Sequence, residues 1–445
     1  MATTYLYRDA TGDVGVQKAT ISTWVKRSNV TEQQYIYFCG YTADYGNYHF
    51  YIRFQDDGTL KIFEDDGGTK LNYITNRVFR DTSGWYHIVV ALDLTETGND
   101  RCKLYVNGVL ETSYSTQTAM TGDQWLTGKS GYRVFIGYSP QDTAQVWNGS
   151  MSQFYYTDGY AYPASTFGSI DATSGEWNLN TAPTVTMGTL GFLVMDNGNT
   201  ITDQSSNSND LTLGAGTLTA TEDCPSDVFA TYNPLANWDD PPSFSNGNNT
   251  VALHSAAKAG GVSTIGINKG KFYCEMKLSA SSDNDAGLGI FSDLDEVIDD
   301  IGPGESANSY CYRETGVKIN NSSETAYGDS YTVGDIISMA LDCDNNKLYF
   351  AKNGAWQDSG DPTSGATGTG AISITDPAST VSQFYFPCGS CTSASQSCTW
   401  DANFGNGYFG TTAISSEGTN ASNIGKFEYD VPAGYTALST KGLNN

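Results

Sequence analysis

Residues 91–108 read ALDLTETGNDRCKLYVNG, and residues 340–354 read ALDCDNNKLYFAKNG. Both begin Ala-Leu-Asp, cross a polar turn, return through Lys-Leu-Tyr and close on Asn-Gly. Asn-Gly supplies the positive φ that both central residues of a type I′ turn require, and that turn matches the twist of paired strands. Each stretch therefore predicts a strand, its antiparallel return and a second reversal, at Asn107-Gly108 and at Asn353-Gly354. Side chains alternate along a strand, so Leu104 and Val106 should face one side and Tyr105 the other. Leu348 and Phe350 should likewise oppose Tyr349. The copies lie about 250 residues apart, far beyond the roughly 20–50 residue periods of solenoids. The reading is an all-β chain with two tandem antiparallel β-sandwich domains, each built around one copy.

Composition agrees. The 445 residues include 29 Tyr and 48 Gly, and aromatics make up 13 %. Tyr, Thr, Val and Phe suit pleated surfaces, while Gly, Asn, Asp and Ser make turns. The run GWYHIVVALDL (84–94) is continuously apolar, as a strand buried on both faces should be. NYHFYIRFQDDGTLKIFEDDGG (47–68) reads as two strands around Asp57-Gly58, with the acidic FEDDGG (63–68) taken as a turn. FEYDVPAGYTAL (427–438) reads as a closing strand. No capped helix with 3.6 periodicity is evident, and 162–168 and 292–302 offer single turns. Gly, Pro, Asn and Asp crowd residues 214–250, which marks a seam. The domains expected are 1–215 and 228–445, with 216–250 as the seam holding the first strand of the second.

Lys and Arg total 23 against 49 Asp and Glu, a formal net charge of −26. No basic run exists to hold a phosphate backbone, so nucleic acid is not an expected partner. No stretch of about 20 apolar residues is present, so no membrane-inserted helix is expected. The first residues carry no apolar secretory core, which implies a chain that stays in the cytoplasm unless another system exports it. Cys39, Cys102, Cys274, Cys311 and Cys343 lie in apolar strand runs and read as reduced core thiols. Cys388, Cys391 and Cys398 fall in PCGSCTSASQSC, read as a Gly/Ser-rich loop; a plain loop and a disulfide formed after release both stay open.

The first half resembles the laminin-G-like, concanavalin-A-like jelly-roll family. The resemblance is carried by ATISTWVKRS (19–28), GWYHIVVALDL with Trp85 and His87, KLYVNG (103–108), and WNGSMSQFYYTDGYAY (147–162). The second half resembles SPRY domains through GKFYCEMKL (270–278), GLGIFS (287–292), the run from Ser309 to Gly354, and NFGNG (403–407). Together with YLYRD, DQSSNSNDLTL and FATYNPLA, this order is similar to structural proteins of marine tailed bacteriophages. The resemblance implies a virion protein with bent β-sandwich domains, one of which binds proteins through loops.

Catalytic signals are sparse. His49, His87 and His254 share no triad or metal spacing, and His87 reads as a structural hydrogen-bonder. Glycoside hydrolases on this fold place paired carboxylates as Glu-x-Asp-x-x-Glu, a pattern this chain lacks. The expectation is no enzyme. Cofactors are expected to be none, with calcium the one candidate: Asp196, Asp203 and Asp210 lie in an Asx-rich stretch, and calcium needs about 6–8 oxygens. The competing reading is that these residues simply make turns. Trp125, Trp147, Trp238 and Trp356 lie outside clean strands and are the aromatics proposed to stack on sugar, each weighed against anchoring the edge of a core.

The resulting reading is a non-enzymatic virion surface protein, assembled in the host cytoplasm. As a fibre or appendage it would adhere to host-surface glycan or protein. As a capsid or tail decoration it would dock on other virion proteins. A glycan-degrading enzyme is the third and weakest reading. A homo-oligomer, trimeric as many fibres are, is expected.

Overall fold

The computed structural model describes residues 4–10, 16–198, 201–236, 241–253, 259–292, 302–391 and 396–444. The chain forms two compact units, Met1–Ala220 and Thr221–Asn445, and each is an antiparallel β-sandwich. Most of the turn proposed at 292–302, as well as Trp238 and His254, lies outside the described residues.

In the first unit an eight-stranded sheet runs Tyr114–Thr118, Thr69–Val78, Thr59–Asp66, Tyr48–Phe54, Gln34–Tyr41, Tyr132–Ile136, Tyr5–Asp9, Thr212–Ala215. A six-stranded sheet runs Phe192–Val194, Gly149–Asp158, Lys18–Arg27, Tyr86–Asp93, Cys102–Val106, Val109–Leu110. Ile21, Val25, Val90 and Leu104 of the smaller sheet share one core with Ile36, Phe50, Ile62 and Val134 of the larger. Each such side chain removed from water contributes about 1.5–3 kcal/mol.

In the second unit the larger sheet runs Ser243–Ser245, Thr250–Leu253, Cys398–Asn403, Lys271–Ser281, Ile336–Asp342, Lys347–Lys352, Ala355–Trp356. The smaller runs Ala259–Val262, Phe386–Cys391, Ala286–Phe291, Ser309–Arg313, Val317–Asn320, Ser323–Ala326. Leu278, Met339, Leu348 and Trp400 meet Leu288, Ile290 and Tyr312 between them.

The doubled phrase forms the same hairpin in each unit. Asn107 and Gly108 have φ of 46° and 78°, and Asn353 and Gly354 have 48° and 81°, as the type I′ reading requires. The registers differ by two residues: Leu104 pairs with Val90, whereas Leu348 pairs with Leu341. The second return is two residues longer, LYFAKNG against LYVNG. A shift of two keeps every side chain on its face, where a shift of one would invert them. Leu104 and Val106 accordingly enter the core of the first unit, and Leu348 and Phe350 that of the second.

The opposite faces are also covered. Tyr105 packs with Val89, Tyr155, Phe167 and Met187, and Tyr349 with Tyr273, Phe427 and Tyr435. This second layer explains the unbroken apolar runs. It also corrects the closing strand expected at 427–438: only Thr436–Ala437 is a strand, pairing parallel to Phe272 and Tyr273. The remainder lies over the sheet, pinned by Glu275, whose carboxylate accepts the N–H groups of Glu428 and Tyr429 at 2.9 and 2.8 Å. Tyr273 OH and Asn403 Nδ2 donate to it as well, at 2.9 and 3.3 Å. Burial pushes the Glu275 carboxyl up to about 7, against the opposing pull of these four donors.

All nine cysteines are thiols and eight are buried, Cys224 being partly exposed. Cys388, Cys391 and Cys398 are not in a loop: the first two lie on Phe386–Cys391 and the third opens Cys398–Asn403. The Gly/Ser composition reflects close strand pairing, with Cys388 opposite Gly289 and Ser390 opposite Gly287.

Candidate functional site

The outer face of the eight-stranded sheet in the first unit carries an aromatic surface that period-2 alternation creates. Along Tyr48–Phe54, Phe50, Ile52 and Phe54 enter the core, which turns Tyr51 and Arg53 outward. Along Thr59–Asp66, Leu60 and Ile62 are core, which turns Lys61 and Phe63 outward. A bulge between Tyr35 and Tyr37 sets Tyr35 and Phe38 on the outer face while Tyr37 and Cys39 stay in the core. Tyr35, Phe38, Tyr51 and Phe135 form a buried floor, beside partly exposed Tyr5, Tyr7, Tyr45, Phe63 and Tyr138.

Register then aligns rings and cations. Tyr35 stands opposite Arg53, Arg53 opposite Lys61, and Tyr51 opposite Phe63. The Arg53 guanidinium lies 5.4 Å from the Tyr35 ring centre and 5.0 Å from that of Tyr51. Lys61 Nζ lies 5.8 Å from the Tyr51 centre and 4.5 Å from that of Phe63. The result is a stripe of ring, cation, ring, cation, ring across three strands. Each cation–π contact contributes about 0.5–2 kcal/mol, according to its exposure.

Arg53 is held in place. Its Nε donates to Gln55 Oε1 at 2.7 Å, and its Nη1 donates to Tyr35 OH at 2.9 Å and to Gln145 Oε1 at 3.3 Å. Burial lowers the Lys61 pKa, and the Arg53 charge lowers it further. At the other end Arg133 lies over Tyr7 at 4.7 Å and binds both oxygens of Asp9, at 2.6 and 3.0 Å. His49 stacks on Phe38, Tyr51 and Phe63 at 12°, 6° and 30°. Burial depresses its pKa, so it serves as a flat neutral ring. Above the buried floor, the face offers the partly exposed rings, Phe63 among them, for apolar C–H groups, rim amides for hydroxyls, and fixed positive charge.

The residues singled out from sequence lie elsewhere. Trp125 is fully buried against Phe50 in the core, so no sugar reaches its ring in this fold. Its isolation from strand patterning arose because it makes only a single bridge, with Val16. Trp147 packs against Phe54 at the edge of the same core. Trp356 is partly buried against Tyr349. Asp203 accepts the N–H groups of Leu193 and Ser205 on Oδ1, and Ser205 Oγ and the Asn209 N–H on Oδ2. Asp210 accepts the Asp203 N–H, and Asp196 accepts Gln153 Nε2. Asp203 thus spends both oxygens on protein donors, the turn-making role, and no cluster of three His, Cys, Asp or Glu able to hold a metal occurs among the described residues.

FEDDGG is also corrected: Phe63 to Asp66 are strand residues, and Glu64 points inward, fully buried, taking the Leu126 N–H at 3.2 Å. Burial holds its carboxyl well above the usual range. His87 is structural, as its sequence position suggested. It stacks on Trp24 at 4.6 Å, and its Nδ1 accepts Trp177 Nε1–H at 3.0 Å. Its proton therefore sits on Nε2, facing Ser22 Oγ at 2.9 Å. The aromatic–cation stripe has a sequence signal: Tyr51-x-Arg53 and Lys61-x-Phe63 share a period of two.

Residues 2–161 match the family profile described as the concanavalin A-like lectin/glucanases superfamily, of laminin G type, and residues 261–375 match the SPRY domain. The chain carries a concanavalin A-like/laminin G domain followed by a SPRY domain. Among curated proteins it is similar to the ATP-dependent RNA helicase DDX1 of Xenopus laevis, 36 % identical over 98 residues. That match covers 21 % of this chain and spans only 12 % of the helicase. Among solved structures, the SPRY domain of human HERC1 aligns with a TM-score of 0.30 at 16 % identity, over 38 % of this chain and 96 % of that one. The heptameric SAP-like pentraxin of Limulus polyphemus aligns with 0.30 at 16 %, over 42 % and 89 %. The CBM40 of Ruminococcus gnavus IT-sialidase, bound to α2,3-sialyllactose, aligns with 0.25 at 19 %, over 31 % and 73 %. The aromatic stripe lies in the laminin G unit, and the Glu275 anchor in the SPRY unit.

Proposed function

We propose that this protein is a non-enzymatic adhesion protein whose laminin G unit holds a glycan on the Tyr35–Arg53–Tyr51–Lys61–Phe63 face. The observation that carries this is the face itself: the partly exposed Phe63 ring and the Arg53 and Lys61 charges over a buried Tyr35–Tyr51 floor, edged by Gln141 and Gln145, in a domain whose superfamily includes lectins. Sequence resemblance alone supports setting it on a phage virion, docked on other virion proteins and reaching toward host-surface glycan or protein. The absence of the Glu-x-Asp-x-x-Glu pattern supports binding without hydrolysis.

A second reading, structural decoration by docking on other virion proteins, is favoured by apolar side chains in a SPRY-unit loop. Val381 is 71 % exposed and Phe384 38 % exposed there. A glycan array probed with the purified chain separates the two. Glycan hits that vanish in a Phe63→Ala variant that still unfolds cooperatively support adhesion through this face. A blank array, with no binding of the chain to candidate host cells, supports decoration.

A further inference from the structure

We propose that the glycan held by the laminin G unit is anionic, with its carboxylate or sulfate seated between Arg53 and Lys61. This rests on the glycan reading above and narrows it.

The two cations are direct cross-strand partners and both lie over one ring, Tyr51. Like charges set opposite each other on a sheet repel. In a chain with 49 acidic and 23 basic residues, a carboxylate to relieve that repulsion would be easy to place. Yet among the described residues neither Arg53 nor Lys61 makes an ion pair. Acids on this sheet and its turns are engaged otherwise. Asp9 is bound to Arg133, Asp57 takes the Thr59 N–H and hydroxyl, and Asp65 takes the Gly68 N–H. Asp142 acts on Tyr35 and Tyr51 without pairing either cation.

Two cations serve three rings here, and both converge on Tyr51. With no ion pair to either cation among the described residues, the Arg53–Lys61 pair forms a receptor that a bound anion completes. The arrangement also suits an oxyanion. Gln55, Tyr35 and Gln145 fix the guanidinium plane through Nε and Nη1, and Nη2 carries no protein hydrogen bond among the described residues. A planar guanidinium orients an oxyanion, and a lysine adds a mobile point charge. Partly exposed Phe63, next along the stripe, offers a ring for the adjoining sugar face.

The test is calorimetric titration of the full chain with a hexuronate oligosaccharide, a sulfated neutral oligosaccharide, and that same neutral backbone without sulfate. At least one anionic probe should bind about tenfold tighter than the neutral one, a difference of about 1.4 kcal/mol. Whichever it is identifies carboxylate or sulfate as the group recognised. The preference should shrink with added salt and vanish in Arg53→Gln and Lys61→Gln. Lys61→Met, which keeps the stem over both rings, should lose the preference while still melting cooperatively as a folded protein, so a folding defect cannot mimic the result. Equal binding of neutral and anionic probes, unchanged in these variants, overturns the anion assignment and leaves the glycan reading standing. Failure of every probe together with a blank array overturns both.

Discussion

Asn107 grips the backbone of His87 twice, donating its N–H to the His87 carbonyl at 2.9 Å and accepting the His87 N–H on Oδ1 at 2.7 Å. Asn353 does the same to Ile336, at 2.8 and 2.9 Å. The doubled phrase therefore repeats a clamp as well as a turn, and its asparagine supplies both the left-handed backbone and the side-chain acceptor. Each following glycine lies against a ring, Gly108 on Trp177 and Gly354 on Tyr429, where a Cβ would collide.

Asn107→Ala and Asn353→Ala should each cost about 2–3 kcal/mol, from a lost hydrogen bond near 1 kcal/mol and left-handed strain of about 1–2 kcal/mol. Hydrogen exchange read by peptide should place the loss in 86–110 for the first and 336–356 for the second. Wild-type urea midpoints in either variant would count against the clamp.

His87 predicts acid sensitivity in the laminin G unit. Burial pushes its pKa down to about 3 from 6.5, so the folded unit keeps it neutral while the unfolded chain takes up a proton. This contribution is complete above pH 6.5 and is lost progressively as pH falls toward about 3. Wild type should therefore lose stability relative to His87→Gln between pH 7 and pH 4, measured by urea midpoints. Parallel pH profiles for the two proteins would show that His87 is not the titrating group. The comparison must be with the variant, because buried Glu64 works in the opposite direction.

Glu275 predicts the reverse in the SPRY unit. Its carboxyl is raised from 4.5 to about 7, so below pH 4.5 it is protonated in both states and costs nothing. As pH rises through that window the unfolded chain ionises first, and stability falls. Glu275→Gln should flatten this dependence, read as hydrogen exchange in 425–437 at pH 5 and pH 8. An unchanged slope would show that the four donors keep the carboxylate ionised throughout.

The tryptophans separate core from surface. Trp125→Ala should cost about 3–5 kcal/mol, as for other large core truncations. Trp356→Ala should cost markedly less, because its ring is only partly buried. Chemical denaturation of both variants checks the order, and a milder loss at Trp125 would contradict its place in the core.

Much of the fold was readable because the signals are local. Alternation along KLYVNG and KLYFAKNG follows from the pleat, and Asn-Gly reverses the chain by its own φ preference. Those features determined two β-sandwiches and the inward faces of Leu104, Val106, Leu348 and Phe350. What alternation could not supply was the identity of distant neighbours. FEDDGG reads as a turn because acidic residues usually are exposed, yet the strand it continues carries Glu64 inward. Trp125 reads as a loop aromatic because nothing in GDQWLTG announces that the loop crosses the end of the core.

The candidate face shows the same division most clearly. Strand alternation alone puts Tyr51 and Arg53 on one face, and Lys61 and Phe63 on one. That these two faces coincide, and that Tyr35, displaced by a bulge, joins them, follows from the folded sheet and from no single strand. Register fixes which side chains meet across strands, and register is set by the packing of the whole sheet rather than by any one strand.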